Sequence, residues 1–179
     1  GPFVHTATAP STGGRKTRNV VSAQASLYFH LLPKRILRSW IGQTDLRAAE
    51  DEASVGPGPV AQSLAAAEYD EALLLFNYPE AKVAPFVRWL KKRTRTALET
   101  RHARRTSPTN FAEIHAAAVA ALEDVLARQK QPPTLAFHLS PGTTAMAAIW
   151  IILAKTRFPA ELIESSREHG VKVASVPFD

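Results

Sequence analysis

Residues 134–156 read "TLAFHLSPGTTAMAAIWIILAKT", and the two halves of this stretch decide the fold. "TLAFHL" (134–139) is a short apolar run, the signature of a buried strand, whereas "TTAMAAIWIILAKT" (143–156) is long enough to be a helix. Between them Ser140-Pro141-Gly142 interrupts both patterns. A buried strand that hands over to an apolar helix through a small-residue turn is half of a βα unit, and such units build parallel sheets.

The same alternation extends outward from residue 35. "RILRSWI" (35–41) reads as a first strand ending at Gly42. A loop containing "GPGP" follows, and then a short helix, "PVAQSLAAA" (59–67). "EALLLFN" (71–77) is a second strand, stopped by Pro79, which also opens a helix over 80–93 with Pro85 inside it. "TALETRHA" (96–103) is the least strand-like of the strand segments. A long helix follows in "SPTNFAEIHAAAVAALEDVLARQK", with Phe111, Ile114, Val119, Leu122 and Leu126 on one face, Ser107 or Thr109 as its cap, and Glu113 complementing its dipole. "AELIES" (160–165) and "KVASVPFD" (172–179) complete the sheet, and the short link "SREHG" favours an antiparallel hairpin. The expected fold is α/β: a Rossmann-like three-layer arrangement of about six mainly parallel strands with an antiparallel last hairpin.

Residues 1–33 do not open on Met and sustain no strand or helix period, although part of "ASLYFHLL" can pack as a helix. Their acid-free, Arg- and Ser-containing composition loosely resembles a transit peptide, and the segment is expected to be an atypical extension outside the ligand-sensing domain at 35–179. The 179 residues, 45% hydrophobic and 21% charged, suffice for one good core. With no cysteine, a disulfide framework and thiolate chemistry are excluded. No apolar run reaches bilayer length, so the expectation is a cytoplasmic protein with no membrane partner.

The formal charge of +6 is unevenly placed: no acidic residue precedes Asp45, and "RWLKKRTRTALETRHARR" fills 88–105. That cluster reads either as a solvated helix end and loop or as a patch facing nucleic acid or phosphate. The six histidines show no metal-ligand spacing, and neither a GxSxG elbow nor a phosphate-binding P-loop occurs, so no metal, cofactor or catalytic residue is assigned. His138 reads as a satisfied core or rim histidine, and Trp40, beside Gly42, as a packing residue that could also stack on a base.

In an open parallel sheet, ligands bind beyond the carboxyl ends of the strands. Those ends carry Gly42, Gln43, Thr44, Asp45 and Arg47 after the first strand, Asn77 after the second, and Ser140, Pro141, Gly142, Thr143 and Thr144 after the fourth; Thr106 to Asn110 lie before the long helix. Glycine permits close backbone approach, helix-initial amides attract anions, and threonine adds hydroxyls without negative charge. Ser140 or Thr143 acting as a plain helix cap would account for part of the same pattern.

The run from Leu135 to Asp179, with its threonine-and-glycine turn, apolar helix and "LIESS" strand, resembles the end of the amino-terminal sensor domain of RtcR-like transcriptional activators, which belong to the CARF group of nucleotide sensors. "WIGQTDLRA" resembles that family's first ligand loop. The resemblance covers roughly residues 35–179. It implies a regulatory domain that forms a homodimer and takes cyclic oligoadenylate or an RNA end bearing a 2′,3′-cyclic phosphate. Gly42, Thr44 and Asp45 would lie on the first loop, and Ser140, Gly142, Thr143 and Thr144 on the fourth. In a full-length protein of this family, ligand releases an AAA+ ATPase that remodels sigma-54 RNA polymerase, with a helix-turn-helix on DNA. Asp179 falls where that ATPase is expected to begin, and no Walker motif or clear helix-turn-helix occurs here. Gln43 and Pro141 depart from the commoner turn patterns. Two other classes compete: a metal-independent ring nuclease using Ser140, Thr143, Thr144, Arg47 and Lys155, and a DNA- or RNA-contacting module built on residues 88–105.

Overall fold

The computed structural model describes residues 32–177. The expected amino-terminal extension, with the helix considered within it, lies outside the described residues except for its last two positions. Within the described residues six strands form one sheet: β1 (Arg35–Trp40), β2 (Glu71–Phe76), β3 (Ala97–His102), β4 (Thr134–His138), β5 (Ala160–Ser166) and β6 (Gly170–Val173). Their order is β3-β2-β1-β4-β5-β6, parallel except for the β5–β6 pair. This is the Rossmann-like α/β architecture expected from the sequence.

Burial explains which strands are apolar. β1 and β2 are covered on both faces, so "ILRSW" and "ALLLF" are wholly buried. β3 is an edge strand and half-exposed, which is why "TALETRHA" carries so little apolar signal. The last strand is shorter than the expected 172–179: β6 ends at Val173, and beyond it the Ala174 amide still donates to the Leu162 carbonyl at 2.8 Å.

Among the described residues there are six helices, five of which cover the two faces of the sheet. On one side lie α1 (Gln43–Glu50), α3 (Pro59–Ala66) and α4 (Glu80–Lys91), whose Leu46, Val60, Leu64, Val83, Phe86 and Leu90 pack on Leu37, Ala72, Leu74 and Ala136. The short α2 (Glu52–Val55) follows α1. On the other side α5 (Phe111–Arg128) and α6 (Thr144–Thr156) pack on Ile36, Trp40, Leu73, Leu75, Leu135 and Phe137. Two sequence expectations are corrected here. Residues 43–50, expected in a loop, form α1, because Gly42 and Asp45 supply a helix start that a glycine-rich neighbourhood disguises. The cap of α5 is Asn110, whose side chain accepts from the Glu113 amide, and the buried stripe runs through Ile114, Ala118, Ala121, Leu122 and Val125, leaving Phe111 53% exposed.

Between the sheet and the α1–α3–α4 layer lies a buried polar knot. His138 is wholly buried; its Nδ1 lies 3.1 Å from Ser39 Oγ, and its Nε2 lies 2.8 Å from Ser165 Oγ and 3.1 Å from Ser63 Oγ. Ser39 Oγ donates to the Trp40 carbonyl, so the ring can donate from Nδ1 and accept at Nε2, which suits a neutral imidazole. Burial pushes the pKa of His138 down to about 3. The unfolded imidazole takes a proton near pH 6.5 while the folded one does not, so this contribution is complete above 6.5 and declines as pH falls toward 3.

The stability difference between the wild type and His138→Gln should therefore shift against the wild type by about 1.4 kcal/mol per pH unit on acidification below 6.5. Urea unfolding at about pH 7.5, 6.0 and 5.0 measures it, and a pH-independent difference would contradict the assignment.

Candidate ligand site

The strand order reverses at β1 and β4: β1 feeds α1 on one face and β4 feeds α6 on the other, and in open α/β sheets such a switch point is where ligands bind. The turns at that point touch. A Cβ added to Gly42 would lie 2.9 Å from the Gly142 nitrogen and 3.6 Å from the Pro141 Cα. Gly142 itself adopts φ +88°, and a side chain there would run into the Met146 sulfur. Both glycines are thus required by geometry, one for close approach and one for its conformation.

The sequence-predicted residues divide into those that face the rim and those that build it. Gln43, Thr44 and Arg47 are exposed on α1; Ser140, Gly142 and Thr144 are exposed around the start of α6. Asp45, expected among the ligand-facing groups, is instead fully buried. Its carboxylate accepts from the amides of Gly42 and Val60, both at 2.9 Å, and so fastens the starts of α1 and α3 together. Burial outweighs these two hydrogen bonds and raises its pKa to about 6. Pro141 is buried beneath its turn.

Thr143 is the N-cap of α6: its Oγ1 accepts from the Met146 amide and donates to the Pro108 carbonyl at 2.9 Å. Its hydroxyl is committed, and it ties the loop before α5 to the turn after β4. Ser140 Oγ likewise accepts from the Ser165 amide at 2.7 Å, joining that turn to β5. The open donors are the first-turn amides of Thr144 and Ala145, which have no partner within the helix, and the exposed Thr144 side chain. These can receive an anion. Thr44 lines a small cleft with Gln62, Ser165, Ser166 and Arg167 at the same end of the sheet.

Asn77 Oδ1 accepts from the Arg105 amide at 3.2 Å, so the end of β2 positions the loop after β3. Sequence reasoning missed Arg105. Its guanidinium carbon lies 4.5 Å from the centroid of the Trp40 ring, in cation–π contact. Burial lowers its pKa, opposed by nearby Tyr78 and Glu113. The signal was hidden because Arg105 ends a basic run; only its position just past a parallel strand distinguishes it. Trp40 is wholly buried beneath it and packs toward Trp150, so it is a platform for Arg105 rather than an open stacking face for a base.

The rest of the basic cluster does not form one surface. Parallel β2 and β3 require α4 to return to the amino ends of the strands, so Lys91 and Lys92 lie toward the opposite end of the sheet from Arg104 and Arg105, while Arg88 lines a cleft with Phe76, Thr100 and His102. Arg93 pairs with Glu52 and stacks on Trp89, and Arg101 pairs with Asp124 at 2.8 Å. Among the described residues no group of three or more His, Asp or Glu side chains is placed to hold a metal ion, and no helix is long and apolar enough to cross a membrane.

No family model matches the sequence, and no curated protein matches it. Solved structures do match in fold. Csm6 from Enterococcus italicus, bound to cyclic hexa-2′-fluoro-hexa-dAMP, aligns over 80% of this chain with a TM-score of 0.62 and 14% identity. Can2 from Sulfobacillus thermosulfidooxidans, in complex with cyclic tetra-adenylate, aligns over 75% with a TM-score of 0.53 and 12% identity. The chain spans 36% and 32% of the lengths of these two proteins.

Gly42 has φ −100°, which alanine tolerates, so Gly42→Ala without crowding would stabilise by about 0.4–1 kcal/mol. Contact with the Gly142 backbone should reverse that sign and destabilise by about 1–3 kcal/mol. Denaturant unfolding reads the sign directly, and a stabilised variant would contradict the contact.

Proposed function

We propose that this chain is a CARF-type nucleotide-sensing domain that takes a cyclic oligoadenylate across the ends of β1 and β4. The observation that supports the reading is the contact between Gly42 and the Pro141–Gly142 turn, which brings the starts of α1 and α6 together. The fold shared with two proteins whose structures hold cyclic adenylate ligands supports it. The ligand contacts are the amides of Thr144 and Ala145, the Thr144 hydroxyl, and the exposed face of α1 at Gln43, Thr44 and Arg47.

The finer form of the proposal is the sensor of an RtcR-like sigma-54 activator in the cytoplasm, coupled to an AAA+ ATPase and DNA-binding domain on other segments of a longer protein, with an RNA 2′,3′-cyclic phosphate end as the second ligand class. The domain works as a homodimer. Thr144, Ala148, Ile152 and Lys155 follow one another along an outer stripe of α6, and Ile152 is 47% exposed. A second copy packed on that stripe would bring two such sites together around a cyclic ligand. Signalling then follows from differential binding to the two arrangements of the dimer, not from chemistry at this site.

Thermal melting with cyclic tri-, tetra- and hexa-adenylate and with an RNA 2′,3′-cyclic phosphate tests the reading. One of them should raise the melting temperature saturably, corresponding to about 2.7 kcal/mol at roughly 100 times Kd. Thr144→Ala, which removes an exposed hydroxyl without touching the cap, should weaken binding by about 1 kcal/mol. Recovery of shortened or linear products would move the assignment to a ring nuclease. Steeply salt-dependent binding of duplex DNA with no nucleotide response would refute the sensor.

A further inference from the structure

Three loops meet at this end of the sheet, and the one after β3 carries a cation whose bonding is incomplete. The loop is held at both ends. The Arg105 amide is fixed by Asn77 Oδ1, and the Pro108 carbonyl is fixed by the Thr143 hydroxyl of the turn after β4. The guanidinium of Arg105 lies over the indole of Trp40, the last residue of β1, while the Cβ of that same Trp40 lies 3.4 Å from the side-chain position of Gly142. One buried tryptophan therefore supports both the cation and the turn.

Two nitrogens of that guanidinium, Nε and Nη1, are enclosed and have no hydrogen-bond partner. Glu113 is the acidic group beside it, but its carboxylate already accepts from the Thr106 amide at 2.7 Å and from the Thr106 hydroxyl at 2.9 Å. An enclosed N–H without an acceptor is unfavourable, and more so on a charged group. A guanidinium held over an indole, beside the turn that starts α6 and with donors to spare, suits an oxygen anion.

We propose that Arg105 contacts a phosphate or phosphodiester group of the ligand, with Trp40 as its platform and Asn77 as its anchor. Arginine rather than lysine is required, because only the planar guanidinium both stacks on the ring and presents a fork of donors to phosphate oxygens. The identity of the ligand as an oligoadenylate rests on the sensor reading above; the anion contact itself rests on the geometry of the loop after β3. The site thereby gains a second positive charge beside that of Arg47 on α1.

The test is isothermal titration of the full chain with cyclic tetra-adenylate, cyclic hexa-adenylate and inorganic pyrophosphate, comparing wild type, Arg105→Gln and Arg105→Lys, with thermal melts to establish folding. Arg105→Gln should weaken binding at least tenfold, and Arg105→Lys should recover only part of that affinity. The slope of log K against log salt should fall by about 0.7 for each phosphate that the variant no longer neutralises. Oligoadenylate binding that is unchanged in both variants overturns the role of Arg105 and leaves the sensor reading standing. Arg105-dependent binding of pyrophosphate with no binding of either oligoadenylate upholds the anion contact and overturns the sensor reading. No binding of any of the three by the folded wild type overturns both. If Arg105→Gln melts too low to titrate, Arg105→Lys decides: binding at least threefold weaker upholds the proposal, and unaltered binding refutes it.

Discussion

The approach of Gly42 to the Pro141–Gly142 turn is the constraint on which the arrangement of this site depends. β1 and β4 are neighbours in the sheet, yet their chains leave to opposite layers, and the backbones at the parting point are too close for a side chain on Gly42. Everything nearby serves that closeness. Asp45 reaches back to the Gly42 amide and across to Val60, Thr143 secures the loop before α5, and Ser140 secures β5. The two turns are thus tied by hydrogen bonds to α3, to the loop before α5 and to β5.

Beneath these turns two kinds of packing hold the strands. On one face, Phe137 and Trp150 stand 4.7 Å apart and Trp150 is 6.4 Å from Trp40, so the apolar layer under α6 is continuous up to the rim. On the other face, His138 and three serines join β1, β4, β5 and α3 by hydrogen bonds. Such a knot specifies one register, because a slip by one residue would move His138 to the apolar face and orphan all its partners. Ser165 also reaches the Pro59 carbonyl, so the polar knot and the Asp45 clasp converge on the start of α3.

Much of the fold is legible in the sequence because burial on both faces leaves an unmistakable record. Ile36, Leu37 and Trp40 in β1, "ALLLF" in β2, and Leu135, Ala136 and Phe137 in β4 are apolar for that reason, and the helix of residues 144–156 is too long to be a strand. β3 is faint because an edge strand has no such requirement. α1 was hidden because its first turn uses glycine and aspartate, residues that equally mark a loop. The site was legible as a set of strand ends but not as a set of roles. Asp45 and Thr143 look like ligand contacts in the sequence, yet their hydrogen bonds are spent inside the protein. Arg105 looks like one of many arginines, and only its place over Trp40 distinguishes it. Sequence position tells which residues gather at the carboxyl edge; which of their atoms remain free is settled by tertiary contacts that no local pattern encodes.

Binding of ligand across the β1 and β4 turns is tested most directly by mapping backbone amide chemical shifts during titration with cyclic tetra-adenylate. Gly42, Gln43, Thr44, Gly142, Thr144 and Ala145 should move together and saturate at a single affinity. Shifts confined to the opposite end of the sheet, around Glu71, Ala97 and Thr134, or to the end of α4 at Lys91 and Lys92, would contradict it.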